Sequence, residues 1–357
     1  MDFPVFKTKM DGEGRKFNLT DSKEREAYFY YKAGEEIEKL KSYIKDNTFI
    51  VYLLGKKNSG KGTYSKMLAE LLGAGTLEHF SVGDMIRAVS KEIKDPAKKI
   101  ELELYLKKNY RGWVPLDNLI AAIEGRDTKT LLPTELILAL VKREIAKRPK
   151  KTLFIDGFPR DMDQVSYSLF FRDLVGFRDD ADVMAFIDVP TSVIEERIKY
   201  RRICPFCNTS RNTKLFPTAR VGYDDKLEEF YLVCDNSTCS GYDRQKMVGK
   251  EGDELGIEPI KERLEIDQKL MEKAMTLHGL PKIFLRNSVP ADIAKDHVDD
   301  YELTMAYDYE WDAAAKKVKI NEKPWIVNDD QGVPSYSLQA PAVAVSLIKQ
   351  LVKALGI

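Results

Sequence analysis

The 357-residue sequence has no run of about 18 apolar residues, so it offers no candidate for a membrane-spanning helix. It has no excess of either charge, since 57 Lys and Arg balance 57 Asp and Glu. A chain without a net field is not drawn as a whole to nucleic acid or to an anionic membrane, and neither partner is expected. Cysteine is scarce, at four residues. The start, Met1-Asp-Phe-Pro-Val-Phe-Lys, lacks the basic-then-apolar form of a secretory leader. These features argue against a disulfide scaffold and for metal-bound or free thiols in a cytoplasmic protein. No internal repeat or low-complexity tract stands out. What remains is 43% hydrophobic and 32% charged, enough for a large core, at a length that holds two domains or one core with insertions.

The most informative stretch is 48–63. An apolar run, Phe49 to Leu54, stops at Gly55; Lys56, Lys57, Asn58, Ser59, Gly60, Lys61, Gly62 and Thr63 follow. A helical pattern (Tyr64, Met67, Leu68, Leu71, Leu72) then begins. Strand, glycine-rich loop and helix are the context of a phosphate-binding loop. Glycines at 55, 60 and 62 are expected to let successive N–H groups point at phosphate oxygens. The helix N-terminus and the Lys61 ammonium add positive charge.

Asp21 or Thr20 caps an expected helix to about Lys45, read as an extra helix packed on the core. Leu77 to Ser81 reads as a short strand, followed by a helix that carries Asp84 and Arg87 at the sheet edge where α/β proteins bind ligands. Residues 88 to 130 read as helices broken near Asp95-Pro96 and Arg111-Gly112, and 134 to 147 as an amphipathic helix capped by Thr134 or a neighbour. Thr152 to Asp156 is a buried strand ending in a carboxylate, placed to hold Mg²⁺ directly or through water. Gly157 and Pro159 turn the chain and aim Arg160 above the sheet. A third strand, Val183 to Pro190, leads to a helix from Thr191 to Arg202, on which Arg197 and Arg201, four apart, would share one face. Strands alternating with helices predict a doubly wound α/β core with a parallel sheet.

All four cysteines lie in one insert, as Cys204-Pro-Phe-Cys207 and Cys234-Asp-Asn-Ser-Thr-Cys239. Four thiolates at such spacing predict a closed, structural zinc site. Beyond it come a helix from Pro259 to about Leu277 carrying Arg263, a strand at Pro281 to Asn287, and a hairpin of Tyr301 to Trp311 with Lys317 to Val327. A turn from Asn328 to Gly332 and a final helix, Ala340 to Leu355, close the chain.

In order, Gly55 to Thr63, Ser81-Val-Gly83-Asp84-Met-Ile-Arg87, Asp156-Gly-Phe-Pro-Arg160 with Gln164, and Val189-Pro190 with Arg197, Arg201 and Arg202 resemble the motif set of adenylate kinases, over roughly residues 48 to 290. The four-cysteine insert is similar to the zinc-bearing lid of that family's long bacterial forms. The resemblance implies a P-loop, three-layer α/β/α fold and reversible transfer from Mg-ATP to AMP, giving two ADP. It implies that Lys61, Arg87, Arg160, Arg201 and Arg263 are catalytic. Gly55 through Thr63, with Arg197, Arg201 and Gln331, would bind ATP. Val82, Gly83, Arg87, Gly157, Arg160 and Gln164 would bind AMP. Asp84 and Asp156 would hold magnesium through water, and Cys204, Cys207, Cys234 and Cys239 would hold zinc.

The expected organisation is an N-terminal extension (1–47), a core (48–87, 151–202 and 256–357), a monophosphate-binding insert (88–150) and a zinc lid (203–255), in a monomer. Against the family pattern, Asn58 stands where Gly is usual, Val82 where Thr is usual, and Lys250 where a lid arginine is usual. Those departures keep two other readings open. One is a kinase for UMP, CMP or another monophosphate, and the other is an ATP-binding regulator or assembly factor with little catalysis.

Overall fold

The computed structural model describes residues 3–10, 14–73, 75–125, 132–157 and 174–357. Arg160, Gln164 and Pro159 lie outside the described residues. Along the chain the first elements are α1 (Ser22–Tyr43), β1 (Phe49–Gly55), α2 (Lys61–Leu72), β2 (Leu77–Ser81), α3 (Val82–Glu92), α4 (Pro96–Asn109), α5 (Leu116–Glu124) and α6 (Thr134–Ala146). Then come β3 (Thr152–Asp156), β4 (Ala181–Asp188), α7 (Thr191–Lys199), and five short strands, β5 (Arg201–Ile203), β6 (Ser210–Asn212), β7 (Val221–Asp224), β8 (Glu229–Leu232) and β9 (Val248–Gly249). The last part holds α8 (Lys261–Met275), β10 (Lys282–Arg286), β11 (Ser288–Pro290), α9 (Ala294–His297), β12 (Met305–Asp312), β13 (Lys317–Pro324), β14 (Ile326–Asn328), β15 (Pro334–Ser337) and α10 (Ala340–Leu355).

Five strands form one parallel sheet in the order β10-β4-β1-β3-β2. Strand β1 is central, and six of its seven residues are buried because both faces are covered. One face packs Phe49, Val51 and Leu53 against α1, α2, α7 and α10, and the other packs Ile50, Tyr52 and Leu54 against α3 to α6 and α8. This is a three-layer α/β/α fold. Its strands all end on one edge, and the phosphate loop, Ser81 and Asp156 stand there together, with Ser81 and Asp156 in register.

Local chemistry fixes the element ends. Asp21 accepts from the Lys23 and Glu24 N–H groups, capping α1, and Asp95 does the same for α4 through Ala97 and Lys98. Four expectations need correction. Thr134 is the first residue of α6 rather than its cap; Pro133 occupies the cap position and offers no side-chain bond. The helix expected to run to Arg202 ends at Lys199, because Asn212 Nδ2 donates to the Glu196 and Arg197 carbonyls (3.1 and 3.2 Å) and takes the place of a further turn. Arg201 and Arg202 therefore lie in β5, not on a helix face with Arg197. The α8 helix starts at Lys261, after a 3-10 turn at Glu258–Ile260. The hairpin is shorter than expected: residues 300–302 form a 3-10 turn, and Pro324 ends β13 where its missing N–H would be needed. Trp325 is then buried, and β14 joins β11 and β15 in a separate three-stranded sheet.

The first residues are sewn to the far end of the chain. Buried Glu302 accepts from Tyr28 Oη (2.5 Å) and Thr8 Oγ1 (2.7 Å), and Lys32 pairs with Asp299 at 2.6 Å. Among the described residues no helix is long and apolar enough to cross a membrane.

Candidate functional site

A cavity of about 1170 Å³ opens at the C-terminal edge of the sheet. Its floor is Gly55 and Lys57 to Thr63; its walls are Asp156 and Gly157, Arg197 and Arg201, Arg263 and Asp267, and, from α3, Gly83 and Arg87. The loop is shaped by steric need at two glycines. Gly60 has φ +98°, a region that side chains avoid, and a Cβ on Gly55 would sit 2.9 Å from the Ile187 carbonyl oxygen. Gly62 is different from expectation: it is helical, and a Cβ there would meet only His79 Cε1 at 3.6 Å. Asn58 has φ 66°, a conformation asparagine tolerates better than most residues.

The three loop lysines part ways. Lys61 Nζ donates to the Gly55 and Lys56 carbonyls (2.8 and 3.0 Å) and stands 3.6 Å from Asp156 Oδ1. Lys56 is withdrawn from the cavity; its buried ammonium bonds the Val189 carbonyl, Thr191 Oγ1 and the Asp330 carboxylate. Lys57 lines the cavity, while its N–H donates to Asp267 Oδ2 at 2.8 Å. Burial, then the charges of Lys250, Arg263 and Arg201, lower the pKa of its ammonium, so these four cations share one space. Two have fixed counterions. Arg201 is gripped by both Asp253 oxygens at 2.6 Å, and Arg263 pairs with Asp267 at 2.8 Å. Arg197 is half-buried, donates to Asn287 Oδ1 at 3.1 Å, and has its pKa lowered by desolvation of its guanidinium.

Along α3 the placement is looser. Arg87 pairs with Asp84, both exposed, and Asp84 is not in the cavity wall. Val82 is fully buried and presents no polar group. Gln331 sits in an exposed turn outside the cavity wall, and the sequence reading missed the segment that does line it, Ser337 to Pro341. It also missed His79, whose Nε2 is buried without a hydrogen-bond partner among the described residues, 3.9 Å from Asp156 Oδ2. Burial lowers the pKa of that imidazole. The signal was its place in β2, two residues before Ser81, on the same face of the strand.

The four cysteines converge. Their sulfurs all lie within 4.8 Å of one another, with Cys204 to Cys239 at 3.8 Å and Cys207 to Cys234 at 3.7 Å. These spacings are too long for a disulfide of about 2.05 Å. They match the edge of a tetrahedron whose centre is about 2.3 Å from each sulfur, the zinc–thiolate distance.

A family profile described as an AAA domain matches residues 54–203. A protein named adenylate kinase from Hydrogenobaculum sp. is 34% identical over 164 residues, which cover 46% of this chain and 64% of that protein. The chain thus spans less than two thirds of that relative. Adenylate kinases from Clostridium novyi and Clostridium botulinum are each 30% identical, over 215 and 220 residues. Those matches take in 60% and 61% of this chain, and 79% and 81% of the relatives. With the phosphate loop, the parallel sheet and the four-cysteine insert in the same molecule, these relatives show that the chain belongs to the adenylate kinase family.

Proposed function

We propose that the chain is a nucleoside monophosphate kinase that moves the terminal phosphoryl group of Mg-ATP to AMP, reversibly, giving two ADP. The observation that carries this reading is the meeting of Lys57, Lys61, Arg201 and Arg263 with Asp156 around one cavity at the phosphate loop. Phosphoryl transfer needs alignment and positive donors around spreading charge, with little covalent help from protein groups. Lys61 is placed to leave the loop carbonyls for phosphate oxygens. Arg201 and Arg263, pre-oriented by Asp253 and Asp267, would surround the group in transit.

Asp156 fits the role of a magnesium-water acceptor, since the Lys61 ammonium and the His79 imidazole stand at 3.6 and 3.9 Å rather than at hydrogen-bonding distance. Magnesium arriving with ATP would neutralise phosphate charge there. Asp84, paired with Arg87, is the more distant of the two carboxylates in this proposal. Zinc in the cysteine cage would hold the lid's fold, because four thiolates leave no open position. The division into core, insert 88–150 and lid 203–255, and a cytoplasmic monomer, belong to the same proposal.

AMP as acceptor rests on the resemblance at Gln164 and on the relatives' names. The buried Val82 favours a second reading, a different monophosphate, because it offers the nucleoside no hydrogen bond. A coupled ADP-production assay with Mg-ATP against AMP, UMP, CMP, GMP and dTMP separates them. Turnover confined to AMP supports the first reading, and preference for another acceptor supports the second. ATP binding without turnover would overturn both in favour of a regulator.

A further inference from the structure

The hairpin β12–β13 is in no motif of the family resemblance, yet its root lies in the cavity wall. Thr304, Met305 and Tyr307 line the cavity, and the Thr304 N–H donates to the Ser337 carbonyl at 2.8 Å. That stitch fixes the root to the segment leading into α10, which lines the same space. Along β12 the residues alternate: Tyr307, Tyr309 and Trp311 face one way, and Asp308 and Glu310 the other, paired with Lys323 and Lys319 of β13.

The aromatic face is covered by the cysteine-bearing insert. Trp311 stacks on Tyr223 at 4.9 Å with 22° between the planes, and Tyr309 meets Phe230 at 5.4 Å. The Tyr307 N–H donates to the Lys214 carbonyl at 2.8 Å, and the Tyr309 hydroxyl donates to the Thr213 carbonyl. Burial raises the pKa of the Tyr309 phenol, which keeps it protonated as that donor. The insert is therefore joined to the hairpin as well as to α7, which Asn212 and Lys214 hold. Neighbouring Leu215 and Phe216 line the same cavity as the hairpin root.

We infer that this hairpin is a working part of the donor-nucleotide site. Its root forms part of the cavity wall, and its aromatic face clasps the lid and so holds Leu215 and Phe216 in that wall. The inference rests on the reading that the cavity takes ATP. A site held in its binding-competent arrangement does not divide its affinity by the small population of that arrangement. Loss of the clasp should therefore weaken donor binding although Trp311 is not in the cavity wall.

The test is amide hydrogen exchange on the full chain together with calorimetric titration of Mg-ATP without acceptor. Both are measured for the wild type, Trp311→Ala, Trp311→Phe and Tyr309→Phe. Trp311→Ala is expected to speed exchange in residues 213–232 and to raise the ATP dissociation constant about three- to tenfold, the range for loss of one aromatic pair. Trp311→Phe should restore both in large part. Tyr309→Phe, which removes only the hydroxyl, should move both in the same direction by less. Unchanged exchange in β1 and β4 marks an intact fold. Unchanged exchange at 213–232 in both Trp311→Ala and Tyr309→Phe would overturn the clasp, and faster exchange with unaltered ATP affinity would overturn its link to the donor site. Neither measurement needs phosphoryl transfer, so a chain that binds ATP but fails the acceptor panel would still report on the hairpin.

Discussion

Lys61 Nζ stands 3.6 Å from Asp156 Oδ1, across the gap between the loop that follows β1 and the end of β3. The two groups are 12% and 20% exposed, so each is reachable by a ligand, yet one is held at the start of α2 and the other at the end of β3. Lys61→Met removes the ammonium while leaving the loop backbone. We expect kcat to fall by about two to three orders of magnitude, the range for loss of one preorganised donor. An unchanged circular dichroism spectrum with wild-type turnover would sink the site assignment.

Lys57 lines the cavity with Lys61, Arg263 and Arg201, and it feels the charge of Lys250 as well. Burial first, and then these charges, lower its pKa, and a bound polyphosphate would offset the repulsion. Lys57→Met should raise KM for ATP about tenfold and flatten the dependence of KM on ionic strength, with kcat changed less. Lys57→Arg should recover most of the affinity. A salt dependence identical in Lys57→Met and wild type would remove Lys57 from phosphate binding.

The cysteine cage predicts about one zinc per chain by elemental analysis. Cys204→Ser should release the metal and lower the melting temperature of the lid, seen as early loss of protection at residues 203–249. Full activity and thermal stability in a metal-free protein with four titratable thiols would contradict the assignment.

Asp182 gives a pH prediction away from the cavity. Burial, partly offset by the bond from the Gly176 N–H at 2.6 Å, raises its pKa from 3.8 to about 6; nearby Asp180 raises it, and Tyr52 and Arg178 lower it. A folded pKa above the unfolded one means that the stability it contributes is present below pH 3.8 and is lost as pH rises through about 6. Asp182→Asn keeps an oxygen for Gly176 and cannot ionise. Its unfolding free energy relative to wild type should therefore climb by roughly 2–3 kcal/mol between pH 4 and pH 7. A difference that stays flat across this range would refute the shift.

Much of the core could be read locally. Asp21 caps α1, the apolar run of β1 is buried, and α10 begins and ends where its pattern does, because each depends on near neighbours. Arg201 was misplaced because periodicity continues a helix until a local breaker appears, and the group that ends α7 is Asn212, from another strand. Lys56 and Lys57 are indistinguishable in sequence; only Asp330, far along the chain, draws one of them away. Gln331 was chosen over the 337–341 segment for the same reason: which turn reaches the cavity is settled by β15 and its partners, not by the turn's own residues. His79 carried no motif, and its burial beside Asp156 comes from strand order.

The carboxylate of Glu302 sets a timetable for making the protein. Its bonds to Thr8 and Tyr28 span 294 and 274 positions. At about 5–20 residues per second, a ribosome that has released Tyr28 needs roughly 14 to 55 s more to deliver that partner. During this interval Phe17, Leu19, Tyr28 and Phe29, all buried in the finished molecule, have no permanent cover. Residues 17–29 are thus among the last to find their place, and a nascent chain stalled before residue 302 should be a preferred client of chaperones that grip aromatic segments.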